Sequence, residues 1–194
     1  MYGILGEDQS DVETLKVIVR RLADNPSLTI RGKGYHGYSE MFRKGARQLG
    51  MFEKLGVSRF VICYDADRDN PATRHNRAVN SIWEPARVIG MGCVIVPVQE
   101  IEAWILADLS SIRNVISGWA ATDHGNPETE NDPKEYLEKR SRNENRRPRY
   151  VHALHNPRVA VFLDLNKVAA KCKSFVPLRN FVKFGTEHCS INPL

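Results

Sequence analysis

Apolar residues follow two periods along the first hundred residues of the chain, and the two alternate. Short continuous runs predict strands over Met1–Glu7, Leu28–Tyr35, Ser58–Tyr64 and Cys93–Val98. The second of these is the weakest, because Arg31 and Lys33 break it into an alternating pattern. Pro97, which has no backbone N–H to offer a ladder, marks the fourth as an edge strand or as close to its end. Between the strands the spacing turns helical. Asp11–Ala23 groups Val12, Leu15, Ile18, Val19 and Leu22, with Ser10 or Asp11 as the cap and Asn25-Pro26 as the stop. Tyr38–Leu55 groups Met41, Phe42, Leu49 and Phe52 and ends at Gly56. Helices are also predicted over Asn76–Ile89 and, around Ile101, Trp104 and Ile105, over Glu100–Leu109. Strands alternating with helices of this length predict an α/β fold with a mostly parallel, Rossmann-like sheet flanked by helices.

The pattern breaks near Ala121. Residues 122–149 are rich in Asp, Glu, Asn, Pro and Arg, with one short helical patch over Pro133–Arg140. Order returns at Tyr150, and further helical spacing covers Leu165–Cys172 and Phe175–Phe184; the tail from Gly185 has none. We therefore expect an α/β core over 1–120, a basic, partly mobile insert over 121–149, and an extension over 150–194 packed on the core. A chain of 194 residues, 42% hydrophobic and 26% charged, can build such a core. No apolar run reaches the eighteen or so residues of a membrane span, and no signal peptide opens the chain, so a non-membrane protein is expected.

Cys63, Cys93, Cys172 and Cys189 form no CxxC pair, which predicts free, buried thiols in a cytoplasmic setting and makes a zinc site a poor fit. The net charge of +5 is unevenly spread. Lys139, Arg140, Arg142, Arg146, Arg147 and Arg149 crowd one segment, which suits contact with a polyanion, although a solvated loop gives the same composition.

Carboxylates collect at three predicted strand ends: Glu7, Asp8 and Asp11 after the first, Asp65 and Asp67 after the third, Glu100 and Glu102 after the fourth. Crowded carboxylates repel one another, and a hard divalent cation relieves that repulsion through oxygen ligands. In open α/β sheets such side chains converge on one crevice. A plainer account has Asp8 and Asp11 capping a helix and Glu100 and Glu102 occupying a dipole-favoured first turn.

Glu7-x-x-x-Asp11 followed by Asp65-x-Asp67 resembles the Toprim domain, the metal-binding core of topoisomerases, primases, recombination proteins and OLD-family nucleases. The segment Pro97-Val98-Gln99-Glu100-Ile101-Glu102-Ala103-Trp104-Ile105-Leu106-Ala107-Asp108 narrows the resemblance to small standalone Toprim proteins of the OLD-like, DUF4276 type. Leu154-His155-Asn156-Pro157-Arg158-Val159-Ala160 and Cys172-Lys173-Ser174-Phe175 extend it over about residues 2–183. The resemblance implies hydrolysis of nucleic-acid phosphodiesters with Mg²⁺ or Mn²⁺, in a two-ion site. Glu7 and Asp11 would hold one ion and Asp65 and Asp67 the other, with Glu100 a ligand or positioning the attacking water. Arg68, Lys173 and the basic segment would neutralise phosphate.

Two departures stand out: Glu7-Asp8 replaces the usual Glu-Gly, and His152 stands where such proteins carry a lysine. His152 is accordingly a catalytic candidate, set against a purely structural histidine. The chain has no Gly-x-x-x-x-Gly-Lys-Ser/Thr loop, so the ABC-type ATPase that works with OLD-like nucleases would act in trans, in an anti-phage setting. The rival readings are a non-cleaving metal- or nucleic-acid-binding module and a phosphorelay receiver domain. The receiver would need a lysine after its last strand, where this chain has Gln99-Glu100.

Overall fold

A computed structural model describes residues 1–120, 123–142 and 149–190. Four five-residue strands, β1 (Tyr2–Gly6), β2 (Ile30–Gly34), β3 (Arg59–Cys63) and β4 (Met91–Ile95), form one parallel sheet in the order β2-β1-β3-β4. Helix α1 (Gln9–Leu22) connects β1 to β2, and α2 (Tyr38–Lys54) carries the chain back past β1 to β3. The strand order therefore reverses between β1 and β3, and the loops leaving those two strands diverge around a crevice at the carboxyl edge.

Side chains alternate across the sheet as a pleated strand requires. Tyr2, Ile4, Val61, Cys63, Cys93 and Ile95 face one core, while Leu5, Phe60, Ile62 and Val94 face the other. The first core is closed by α1, α5 (Glu102–Leu106) and the helices that follow the insert: α7 (His152–Ala160), α8 (Leu165–Lys171) and α9 (Val176–Phe184). The second is closed by α2 and by the segment that begins with α3 (Pro71–Ala78) and ends with α4 (Glu84–Ala86). Within the insert, α6 (Pro133–Arg140) buries Leu137 in the first core. All four cysteines are buried and free. No described helix is long and apolar enough to cross a membrane.

Several boundaries differ from the sequence pattern, for local reasons. The cap of α1 is Asp8, whose carboxylate accepts from Asp11 N–H at 2.9 Å; neither Ser10 nor Asp11 caps. The third helix starts at Pro71, five residues before the predicted Asn76, because Asn70 caps it by accepting from Ala72 and Thr73 N–H. It then widens into a π turn over Val79–Trp83 just ahead of Pro85, a residue that lacks the N–H an α-helix would use. Strand β4 starts earlier and ends earlier than Cys93–Val98, with Pro97 beyond its end. The tail takes part in the sheet after all. His188 bridges to Cys93, accepting from Val94 N–H at 2.9 Å and donating its own N–H to Gly92 O at 3.0 Å. The predicted Glu100–Leu109 helix is short, Glu102–Leu106, and passes into a 3₁₀ stretch over Leu109–Asn114.

Candidate acidic site

The switch point between β1 and β3 opens into a cavity of about 240 Å³. Glu7, Asp8 and Asp11 line it from the β1–α1 turn, Asp65 from the end of β3, and Glu100 and Glu102 from the loop after β4. Gly37, at the start of α2, completes one wall, and Lys134 from α6 and His152 from α7 the other.

Each acid is held by its local fold. Because Asp8 takes the capping role, Asp11 is left free to face inward from the first turn of α1, where it is buried. Gly37, the N-cap of α2, has no side chain to cap with, and its φ of 92° is one that glycine tolerates. Glu7 supplies what is missing: backbone N–H groups of Tyr38 and Asp65 support its carboxylate, the latter at 3.1 Å. Glu102 is only 4% exposed and accepts from Asn156 Nδ2 at 3.0 Å. Asn156 in turn accepts from Tyr150 Oη at 2.5 Å, so a wholly buried chain of hydrogen bonds anchors Glu102 from α7. Glu100 accepts from the backbone N–H of Lys134 at 3.3 Å.

Asp65 is the exception. Its Oδ1 is sealed from solvent and, among the described residues, has no hydrogen-bond partner. A buried acceptor left unpaired costs about 1–3 kcal/mol, more when charged.

The electrostatics follow from this crowding. Burial first, then the neighbouring carboxylates, push Asp11 and Asp65 well above the ordinary aspartate range. Burial lifts Glu7 to about 7 against the pull of its backbone donors, and burial with Glu102 alongside lifts Glu100 to about 7. Glu102 is also raised by burial, with Asn156 opposing. His152 is lowered, by burial and then by Lys134, so near neutral pH it carries no charge to set against phosphate. Lys134, which draws Glu100 and Glu102 downward, is the cation of the cavity wall.

Other predicted site residues lie elsewhere. Asp67 is exposed, at φ 53°, and does not line the cavity; Arg68 beside it is exposed at φ 68°. Gln99 across the rim has φ 65° and accepts from Asp67 N–H at 3.3 Å. Three non-glycine residues in the left-handed region thus shape the rim, each at about 1–2 kcal/mol. Lys139 pairs with Glu135 at 2.9 Å, and Arg140 sits 5.3 Å over the Tyr136 ring. Arg142 and Arg149 are exposed, and Arg146 and Arg147 lie outside the described residues. Lys173 lines a different cavity of about 390 Å³, largely apolar, with His75, His188 and Pro177. The single carboxylate of that cavity, Glu128, is taken up by the N–H groups of Lys173 and Ser174.

The donors fit a hard cation by type: all are carboxylate oxygens, several are raised by burial and then by one another, and one is unpaired. They do not yet fit by position. Among the described residues, no three His, Cys, Asp or Glu side chains stand where they could hold an ion together. Lys134, Asn156 and Tyr150 were absent from the candidates read from sequence. Nothing in a polar insert marks one lysine as inward-facing, and Asn156 is marked only by lying in the string Leu154–Ala160.

The model of the family described as a domain of unknown function, DUF4276, matches residues 6–183, and the chain belongs to that family. Comparison with curated proteins and with solved structures found no match.

Proposed function

We propose that this DUF4276-family chain is a Mg²⁺- or Mn²⁺-dependent phosphodiesterase acting on nucleic acid, a Toprim hydrolase of the OLD-like type. The observation that carries the reading is the unpaired, buried Oδ1 of Asp65 among five further carboxylates at the sheet's switch point. Drawn together from their present spread, Glu7, Asp11 and Asp65 would hold the cation, with Glu100 as a further ligand and Asp67 joining from the rim. Bound there, one or two such ions would supply Lewis-acid polarisation of a phosphoryl oxygen and a water acidic enough to attack near neutral pH.

The protein's own part is positional. Asn156 and Tyr150 fix Glu102, which adds to the cost that burial places on negative charge at Asp11 and Asp65. Glu100, with a proton affinity near neutrality, is suited to accept a proton from an attacking water. Lys134 faces the cavity as a fixed positive charge for a phosphate oxygen, the role expected of the lysine that His152 replaces. No nucleophilic serine, cysteine or tyrosine is required.

A second reading is favoured by the spread of the carboxylates: the chain binds metal or nucleic acid without cutting, as a regulatory module. Either form suits the reduced cysteines of a cytoplasmic protein and an ABC-type ATPase partner in trans in anti-phage defence. Incubation of the purified chain with single- and double-stranded DNA and RNA, with Mg²⁺, Mn²⁺ or EDTA, decides between them. Cleavage that needs the ion and is lost in Asp65→Asn and Glu7→Gln supports the hydrolase. Cleavage at the wild-type rate in the double variant refutes it, and metal-dependent binding without cleavage leaves the module.

A further inference from the structure

Beside the acidic cavity, arginines are layered on aromatic rings, and we propose that this ledge seats an unpaired base and its flanking phosphate from a single-stranded nucleic acid. The inference rests on the hydrolase reading above and names the strandedness of its substrate. The ledge is continuous with the cavity, since Tyr38 follows Gly37 and Tyr64 precedes Asp65 in the chain.

The floor of the ledge is built and closed. Tyr64 is fully buried, its ring 4.9 Å from Phe42. Arg74 lies 4.7 Å over the Tyr64 ring, donates to Tyr64 Oη at 2.5 Å and pairs with Asp69 at 2.7 Å. The charge of Arg74 is thereby used within the protein.

The upper layer is different. Arg77 lies 4.8 Å over Phe42 and 5.5 Å from the centroid of Tyr38, and it is exposed. Tyr38 is 39% exposed. Among the described residues, neither Arg77 nor Arg68 has a carboxylate partner; the one protein hydrogen bond of the Arg77 guanidinium runs to Tyr64 Oη at 3.4 Å. An exposed aromatic ring beside the Arg77 guanidinium, which has no carboxylate partner among the described residues, matches what a nucleotide offers, a π-face and a phosphate. A duplex keeps its bases stacked on one another, so a base can reach the Tyr38 ring only from a single strand or a frayed end. Of the basic segment, Lys139 is paired with Glu135 and Arg140 is laid on Tyr136.

The test is binding of a fluorescent oligothymidylate, and of a duplex of equal length, to the full chain in EDTA, so that no cleavage is read. Wild type is expected to prefer the single strand. Tyr38→Ala should weaken that binding about tenfold, the low end of one lost base stack, and Tyr38→Phe, which keeps the ring face, should restore it. Arg77→Ala should flatten the dependence of log affinity on log salt by about 0.7. Because Arg77 is exposed, this variant decides the matter even if Tyr38→Ala proves unstable. The proposal is overturned if wild type binds neither oligonucleotide, if both variants bind like wild type, or if duplex binding falls as far as single-strand binding. A chain that binds through Tyr38 and Arg77 yet never cuts with Mg²⁺ or Mn²⁺ keeps the ledge and removes the hydrolase. A chain that cuts while both variants bind normally does the reverse.

Discussion

Asp65 concentrates the conflict between stability and function in one side chain. Its backbone N–H serves Glu7 while its own Oδ1 is sealed without a partner, and four other acids bear on it. Replacing the carboxylate by the amide removes the like-charge repulsion while keeping the shape. Asp65→Asn is therefore expected to raise the melting temperature in EDTA at pH 8 and to abolish metal-dependent cleavage. Thermal melts of the two proteins side by side check the first half; a lower melting temperature for the variant would mean that Oδ1 is satisfied in solution. Asn156 makes the opposite case. It is fully buried between Tyr150 Oη and Glu102, so Asn156→Ala strands two buried polar groups. Urea denaturation should show a loss of about 2–5 kcal/mol, and Asn156→Leu should do no better, because shape is not what the site lacks.

At the scale of elements, the alternating pattern of strands and helices was legible because β1, β3 and β4 are buried on both faces, whereas β2, buried only at Ile30, read as the weakest strand. What the pattern misplaced were ends, and side chains decide ends. A single hydrogen bond, donated by Asp11 N–H to the Asp8 carboxylate, put the cap of α1 at Asp8 and left Asp11 as a cavity acid. The string from Glu100 to Asp108 reads as one motif but divides three ways in space. Glu100 and Glu102 face the cavity, and Trp104 is buried with its indole donating to Ser174 Oγ at 2.8 Å. Asp108 accepts from Ser110, Ser111, Asp164 N–H and Lys167, tying the end of α5 to the start of α8 and holding its own pKa near 2. The family string thus carries both the site and the brace that orients it. Spacing along β2 hid a different constraint. A Cβ on Gly34 would lie 2.4 Å from Gln9 N and 2.5 Å from Asp8 O, so β2 abuts the turn that presents Glu7 and Asp8. Gly34→Ala must push that turn away; a loss of about 1–3 kcal/mol in denaturant titration is expected, with weaker metal binding by calorimetry.

Across the whole molecule, the acids of three loops and the helices after the insert depend on one another. Residues 150–184 share the first core with the strands, and through Lys134, His152 and Asn156 this later part of the chain finishes a cavity begun by the sheet. Sequence could place the acids on strand ends but could not bring α6 and α7 to them, because long-range packing leaves no local period. The joint consequence is a pH dependence set by the cavity. In the unfolded chain Glu7 and Glu100 ionise near their ordinary 4.5; folded, they do so at about 7. Between those values the folded protein holds more protons than the unfolded one, so stability falls as pH rises through that window, and the raised Asp11 and Asp65 act in the same direction. The lowered Asp108 acts in a separate range, its contribution fading only as pH drops below about 4 toward 2. In EDTA the protein should therefore melt at a higher temperature at pH 5 than at pH 8. On the proposed function Mg²⁺ or Mn²⁺ would bind the ionised acids, and so should restore stability at pH 8 and do little at pH 5, where protons already neutralise the cavity. Melting curves over pH with and without the ion measure both effects. A flat profile in EDTA would show that the six carboxylates are not crowded in solution, and with that the case for a cation at the switch point would fail.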